Sequence, residues 1–191
     1  MPARAPPTSG AFIDPPPRIP LLLRLGVWIT ERVTGRRMLP ARLLAWYPRA
    51  ALGSGLLEAL ITDRDGRIDR RVLKLVRLAA SFATACPFCA DMNAHRHREA
   101  GVTDDELDGL RERREPEAIP TLSPLERLAV RYARLASATP LRFDPAFVEE
   151  LRATFDEREL VVLAATAAQV NYWARLCEAL GVPPAGFGDG R

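Results

Sequence analysis

The feature that most constrains the fold is a series of helix-start signals in the second half of the chain. "TDDE" at 103–106, "SPLE" at 123–126 and "DERE" at 156–159 each place a cap residue three positions before a glutamate, which is the spacing of a capping box. In "DPAF" at 144–147, Asp can cap a helix whose first residue is Pro. These four signals predict helices over 104–114, 124–138, 145–154 and 157–180.

Prolines and glycines divide the first half of the chain in the same way. They predict helices over 21–34, 40–47, 48–61, 70–85 and 86–100. No segment alternates between apolar and polar residues for long enough to form a convincing strand. The sequence therefore predicts an all-α protein. We expect a proline-rich flexible arm over 1–18, one helical domain over 19–183 and a short tail over 184–191.

Composition excludes several classes of protein. The 191 residues are 48% hydrophobic and 27% charged, with a net charge of +3 and a pI of about 9.0. This mild basic excess is interspersed with acids, whereas a nucleic-acid binder more often carries a basic stripe. The longest apolar stretch, 160–168, is too short to span a bilayer, and the proline-interrupted N-terminus lacks a secretory signal. We therefore expect a cytoplasmic protein that has no membrane span and binds no nucleic acid.

The stretch "TACPFCADMNAHRHREAG", residues 84–101, holds two of the three cysteines and both histidines. Cys86 comes just before a proline that favours a first helical turn, where backbone N–H groups stabilise a thiolate. Cys89 follows nearly one turn later on roughly the same side, so the two thiols can close to a disulfide and reopen. The pattern favours reversible dithiol chemistry, with a metal site and two inert buried thiols as the alternatives.

A zinc site would need Cys86, Cys89, His95 and His97 to converge on one tetrahedron. On a continuous helix the two histidines point about 200° apart, so both cannot face the cysteines. We therefore expect no metal and no cofactor, unless another chain contributes ligands.

Asn93, His95 and Cys177 are interpreted from their positions on the predicted helices. Asn93 lies four residues after Cys89 and should face it across one helical turn. His95 lies off that face and is interpreted as a surface or subunit-contact histidine. Cys177, alone in "NYWARLCEALGV", is expected to be a small core residue.

The segment "LVRLAASFATACPFCADMNAHRHREAGVTDDEL", residues 75–107, resembles the core motif of the alkyl hydroperoxidase D-like (AhpD-like), or carboxymuconolactone decarboxylase, family. "LSPLERLAVRYARLASATP" (122–140) and "FDERELVVLAATAAQVNYWARLCEALGV" (155–182) are similar to its peroxidase-related branch. The resemblance covers about residues 40–183. It implies an all-α, AhpD-like helical bundle that forms a homo-oligomer, often a trimer or a hexamer.

The resemblance also implies an antioxidant enzyme. Members with a CxxC pair typically reduce organic hydroperoxides and are recharged by a dithiol reductant protein. In such members the second cysteine attacks and the first resolves, which correspond to Cys89 and Cys86 here. Members that act as lactone decarboxylases generally lack the pair.

The chain departs from the family's proton relay. The relay glutamate, the histidine inside CxxC and the later histidine correspond to Lys74, Phe88 and Asn93. General acid–base groups contribute roughly a hundred- to ten-thousand-fold in rate, so we expect a weak thiol-dependent peroxidase. Its catalytic residues would be Cys86 and Cys89, with Asn93, Lys74 and His95 as supporting candidates. A non-catalytic oligomeric redox sensor or scaffold, and a family-fold enzyme with a different substrate, are the alternatives.

Overall fold

The computed structural model describes residues 6–61 and 66–187, and over these ranges it is all-helical without a strand. The predicted all-α fold is therefore confirmed. In chain order the α-helices are α1 (Leu21–Thr34), α2 (Leu39–Leu43), α3 (Pro48–Ile61), α4 (Arg70–Ala83), α5 (Pro87–Ala94), α6 (Asp104–Arg111), α7 (Pro124–Ala136), α8 (Pro145–Thr154) and α9 (Glu157–Ala179). Short 3-10 turns follow α2 and precede both α6 and α7.

The helix-start signals are found where the sequence places them. Thr103, Ser123 and Asp156 each form a complete capping box, in which the side chain accepts from the N3 backbone and the N3 glutamate accepts in return. Asp144 caps α8 by accepting from the backbone N–H of Ala146. These local hydrogen bonds satisfy backbone donors that the first helical turn leaves free. They explain why the predicted starts of these helices agree with the structure.

The predicted helix over 86–100 is wrong in its second half. α5 ends at Ala94, His95 leaves the helical region with ψ 133°, and Arg96 has a positive φ of 53°. A 3-10 turn over Arg98–Ala100 follows. No proline or glycine marks this break in the sequence. The contacts that hold the bend are tertiary: Lys74 on α4 binds the His95 carbonyl, and the His97 ring binds Asp104 at the start of α6.

Helix α4 lies at the centre of the bundle. It packs most extensively against α7 and α9, and also against α5 and α6. Its side chains from Leu75 to Ser81, apart from the partly exposed Arg77, are almost completely buried. Because α4 leads directly into the cysteine motif, this packing fixes the position from which the motif begins.

The long helix α9 joins two groups of core residues. Its Leu163 and Ala167 belong to the larger core, which α4 and α6 to α8 complete. Its Ala174 and Cys177 belong to a smaller core that also contains Cys86, Phe88 and Cys89. The C-terminal half of α9 therefore forms one wall around the cysteine motif.

The residues before α1 lie against this smaller core. Ala11 is buried in it, the backbone N–H of Phe12 donates to Leu180, and the Trp46 indole donates to the Asp14 carbonyl. Residues 1–5 of the predicted arm and 188–191 of the predicted tail lie outside the described residues. In the described parts of the chain, no helix combines the length and the hydropathy needed to cross a bilayer.

Candidate functional site

The cysteine motif begins at a sharp turn between α4 and α5. Ala85, between the two helices, has φ 55°, in the left-handed region that L-residues adopt at a cost of about 1–2 kcal/mol. This turn places Cys86 at the N-cap of α5, with Pro87 as the first helical residue. Proline is suited to that position because its fixed φ is helical and it lacks an N–H that would remain unpaired.

The two sulfurs of the motif are in direct contact. The Cys86 Sγ accepts a hydrogen bond from the backbone N–H of Cys89 at 3.2 Å, and the two Sγ atoms are 2.6 Å apart. Both cysteines are unbridged and buried. The predicted proximity of Cys86 and Cys89 is therefore present, and the pair can form a disulfide with little movement of the backbone.

A third sulfur lies beside the pair. Cys177 on α9 is fully buried, and its Sγ lies within 4.8 Å of both other Sγ atoms. The sequence correctly predicts a core position for Cys177 but gives no signal of this neighbour relation. The relation arises only because α9 packs against α5.

The three thiols do not share protons equally. Hydrogen bonds from the Cys177 and Cys89 thiols, together with the backbone N–H groups of Cys89 and Phe88, lower the pKa of Cys86 despite its burial. The pKa values of Cys89 and Cys177 are raised, because each holds its proton in the hydrogen-bonded cluster and burial disfavours its charged form. The arrangement therefore favours one thiolate, on Cys86, flanked by two protonated thiols.

Lys74 is engaged away from the sulfurs. Its Nζ donates to the carbonyl of His95 at 2.7 Å. Burial lowers the pKa of Lys74 to about 8, and the nearby charges of Arg77 and Arg70 contribute to the same shift. Lys74 thus holds the end of α5 in place, and its ammonium group is directed to a backbone carbonyl.

Asn93 is buried, as expected for a residue on the inner face of α5, but its amide is directed to α4. Its Nδ2 donates to the Ser81 Oγ at 2.8 Å. Phe88, at the relay position inside CxxC, is buried in the smaller core. The polar groups at the Lys74 and Asn93 positions therefore contribute to helix packing around the motif.

His95 lies at the edge of the site. Its ring packs on Phe187 with centroids 4.9 Å apart, and burial lowers the pKa of His95. The backbone N–H of Phe187 donates to the Asp91 carboxylate at 3.1 Å. Phe187 also belongs to the smaller core that contains the cysteines.

The histidines do not join the sulfurs. Among the residues that the structure describes, the group of His, Cys, Asp or Glu side chains close enough to hold a metal ion consists of Cys86, Cys89 and Cys177. His97 instead binds the Ala94 carbonyl and the Asp104 carboxylate. Both histidines lie beyond Ala94, the last residue of α5. They are separated from the cysteines, but the expectation that they project from one continuous helix is wrong.

Comparison with known proteins supports the suspected relationship. The model of the carboxymuconolactone decarboxylase family matches residues 51–135, a segment that runs from α3 into α7 and contains the cysteine pair. The segment of this chain that carries the cysteine pair is thus similar to that family. The uncharacterized protein YnjA of Escherichia coli K12 is 29% identical over 175 residues, which are 92% of this chain and 94% of that protein.

Several solved structures are similar to this chain in fold. An uncharacterized peroxidase-related protein from Silicibacter sp. TM1040 superposes with a TM-score of 0.81 at 15% identity, over 98% of each chain. The AhpD core protein of Ralstonia eutropha JMP134, also described as peroxidase-related, gives 0.74 at 17% identity, over 87% of this chain and 86% of that one. The debrominase Bmp8 gives 0.79 at 19% identity, over 96% and 95%. At these identities the likeness establishes the fold, which is AhpD-like.

Proposed function

We propose that this protein is a thiol-dependent oxidoreductase that reduces organic hydroperoxides through Cys86 and Cys89. The observation that carries the proposal is the 2.6 Å contact between the two Sγ atoms at the N-terminus of α5. The match of residues 51–135 to the carboxymuconolactone decarboxylase family model and the peroxidase-related fold neighbours support the same chemistry.

The geometry favours Cys86 as the attacking thiolate. Its sulfur accepts the Cys89 backbone N–H at the helix N-cap, and the neighbouring cysteines lower its pKa. The family resemblance assigns attack to Cys89 instead, but Cys89 and Cys177 retain their protons in this cluster. A thiolate is the reactive form of cysteine, so the first step is proposed at Cys86.

The reaction balances with the two thiols alone. The Cys86 thiolate attacks the terminal oxygen of the hydroperoxide, the O–O bond breaks, and the alkoxide leaves as the alcohol once it is protonated. Cys86 is thereby oxidised to a sulfenic acid. The Cys89 thiol then attacks that sulfur, the S–O bond breaks, and the hydroxide leaves with the thiol proton as water. A dithiol reductant protein restores both thiols by disulfide exchange.

Two features are expected to keep turnover slow. The side chains of Lys74 and Asn93 bind a backbone carbonyl and a serine hydroxyl, so a dedicated proton relay to the sulfurs is not supplied by these positions. Cys86 is 0% exposed and Cys89 is 1% exposed. A hydroperoxide therefore reaches them only after the residues packed around them open locally.

The test is a count of free thiols in the reduced protein before and after one equivalent of cumene hydroperoxide. Wild type is expected to lose two thiols together, Cys177→Ala to lose the same two, and Cys86→Ser to lose none. Wild-type thiols that remain free over minutes would refute the function. If Cys86→Ser reacts as fast as wild type, the attack belongs to Cys89.

Steady-state turnover separates the enzyme from its non-catalytic alternative. With dithiothreitol as the donor, an enzyme consumes many equivalents of hydroperoxide per chain. A redox sensor or scaffold is oxidised once and then reacts no further. The same preparation and the Cys86→Ser control serve both measurements.

Reductive dehalogenation is the second candidate. The debrominase Bmp8 shares the fold, and the crystal structure of one of its variants in complex with 2,3,4-tribromopyrrole superposes with a TM-score of 0.76 over 88% of each chain. In the balanced reaction two thiols and an aryl bromide yield a disulfide, the debrominated ring and hydrogen bromide. Bromide release from 2,3,4-tribromopyrrole with loss of two thiols would favour this function over hydroperoxide reduction.

We also propose that the protein acts as a cytoplasmic homo-oligomer, a trimer or a hexamer. Helix α1 buries Leu23 and Val27 against its own chain but exposes six large apolar side chains: Leu21, Leu22, Leu25, Trp28, Ile29 and Val33. The face of α3 exposes a further row at helical spacing, formed by Leu52, Leu56 and Leu60. Contiguous apolar patches of this kind are typical of subunit interfaces.

A further inference from the structure

The position of Cys177 gives the redox site a third member. Its Sγ lies within 4.8 Å of the sulfurs of Cys86 and Cys89, and the three side chains are at most 1% exposed. These are all of the cysteines in the chain. Proximity alone assigns Cys177 no role beyond filling the core. The chemistry of the two neighbouring cysteines indicates one.

Cys177 approaches Cys86 from outside the CxxC segment. Cys86 and Cys89 belong to the start of α5, whereas Cys177 belongs to α9, and the two helices pack together at this point. The Cys177 Sγ lies within 4.8 Å of the Cys86 Sγ, close enough to contribute to the lowered pKa of Cys86. Cys86 therefore has two thiol neighbours, one from its own helix and one from α9.

We propose that Cys177 is a second resolving thiol for Cys86, able to form a Cys86–Cys177 disulfide that links α5 to α9. This inference rests on the proposed function, because it needs an oxidised Cys86. Once Cys86 is a sulfenic acid, the Cys177 thiol attacks its sulfur. The S–S bond forms, the S–O bond breaks, and the hydroxide leaves as water with the thiol proton. No further oxidant is required.

The second resolving thiol protects the site from over-oxidation. A sulfenic acid that meets no thiol can be oxidised further to a sulfinic acid, which is generally irreversible. With two thiols in reach, loss of one still leaves a route to a reversible disulfide. The bond between α5 and α9 would also close a far longer loop than the bond within CxxC, and disulfides across longer loops stabilise a protein more in the chain-entropy model.

The experiment uses the full-length Cys89→Ser variant, which retains Cys86 and Cys177 as its two thiols. It is treated in parallel with one equivalent of cumene hydroperoxide and with diamide, which oxidises neighbouring thiols without peroxidase chemistry. Unreduced tryptic peptides are then analysed by mass spectrometry, and a non-reducing gel excludes bonds between chains. Far-UV circular dichroism verifies that the variant is folded.

Both oxidants are expected to take Cys89→Ser from two free thiols to none and to yield the Cys86–Cys177 peptide pair. The matched control Cys89→Ser/Cys177→Ala should give no such pair, and dimedone should trap a persistent sulfenic acid on Cys86. Absence of the pair with diamide in folded Cys89→Ser would overturn the inference. A pair formed with diamide but not with cumene hydroperoxide would show that the two thiols can bond, but it would overturn the attack of the hydroperoxide at Cys86 on which the inference rests. The wild-type thiol count then decides whether the hydroperoxide function fails or the attack belongs to Cys89.

Discussion

Replacing Glu106 with glutamine should destabilise the protein at neutral pH and leave it less sensitive to acid. Glu106, the capping-box glutamate of α6, is 1% exposed and accepts two hydrogen bonds from the Arg71 guanidinium of α4, at 2.7 and 2.9 Å. Arg71 also donates to Glu126 of α7 at 2.6 Å. This cluster holds α6 and α7 against α4, the helix that leads into the cysteine motif.

The magnitude follows from the acidity of the carboxyl. Burial alone would raise the pKa of Glu106, but hydrogen bonds from Arg71, Thr121 and Thr103 outweigh it and lower the pKa from 4.5 to about 2. At about 1.4 kcal/mol per pH unit, this difference is worth about 3 kcal/mol. Because the folded-state pKa is the lower one, the stabilisation is fully present above pH 4.5 and is lost as the pH falls towards 2.

Urea denaturation of wild type and Glu106→Gln from pH 7 to pH 3 measures the effect. The difference in free energy of unfolding should be about 3 kcal/mol at pH 7, about 2.5 at pH 4 and about 1.5 at pH 3. Glu149→Gln, at an exposed ion pair on α8, serves as the control and should change stability by less than about 0.5 kcal/mol. A difference that stays constant from pH 7 to pH 3 would show that packing, not the charge of Glu106, is responsible.

Three further changes test other parts of the structure. Ala85→Gly should raise the free energy of unfolding by up to about 1 kcal/mol, because φ at Ala85 is 55°. The control Ala168→Gly, at an exposed position inside α9, should lower it by about 1 kcal/mol. Equal urea midpoints for the two variants would contradict this expectation. The folded-state pKa of Lys74 is lowered to about 8, so the free energy of unfolding of wild type should rise by about 2 kcal/mol between pH 8 and 10.5. Lys74→Met should abolish this rise. An identical pH slope in urea titrations of both proteins would refute this. Leu25→Glu on the exposed face of α1 should lower the sedimentation mass relative to wild type and to the Arg24→Glu control, and an unchanged mass would exclude this face as the interface.

The pattern of helix starts could be predicted because its causes are local. Thr103, Ser123, Asp144 and Asp156 cap the helices that the sequence assigns to them. A capping side chain binds backbone groups two or three residues away, so the sequence contains both partners. The same holds for the N-cap position of Cys86 before Pro87, which predicts a thiolate site from a few neighbouring residues.

The end of α5 could not be predicted, since its causes lie elsewhere in the chain. Residues 94–97 contain no helix breaker, yet the helix ends at Ala94. Lys74 binds the exposed His95 carbonyl from α4, and Asp104 binds the His97 ring from α6. These partners approach only when the helices pack, so their contribution is absent from local propensity.

The sequence by itself determined an all-α fold, the division into helices and a cysteine pair poised at a helix N-terminus, because each depends on residues within about one helical turn. The tertiary structure alone decided which groups surround that pair. It directs Lys74 and Asn93 to the His95 carbonyl and to Ser81, and it brings Cys177 within 4.8 Å of both other sulfurs. The physical reason is that hydrogen bonding and thiol chemistry act over a few ångströms, and the packing of α9 against α5 sets those distances for residues far apart in the chain.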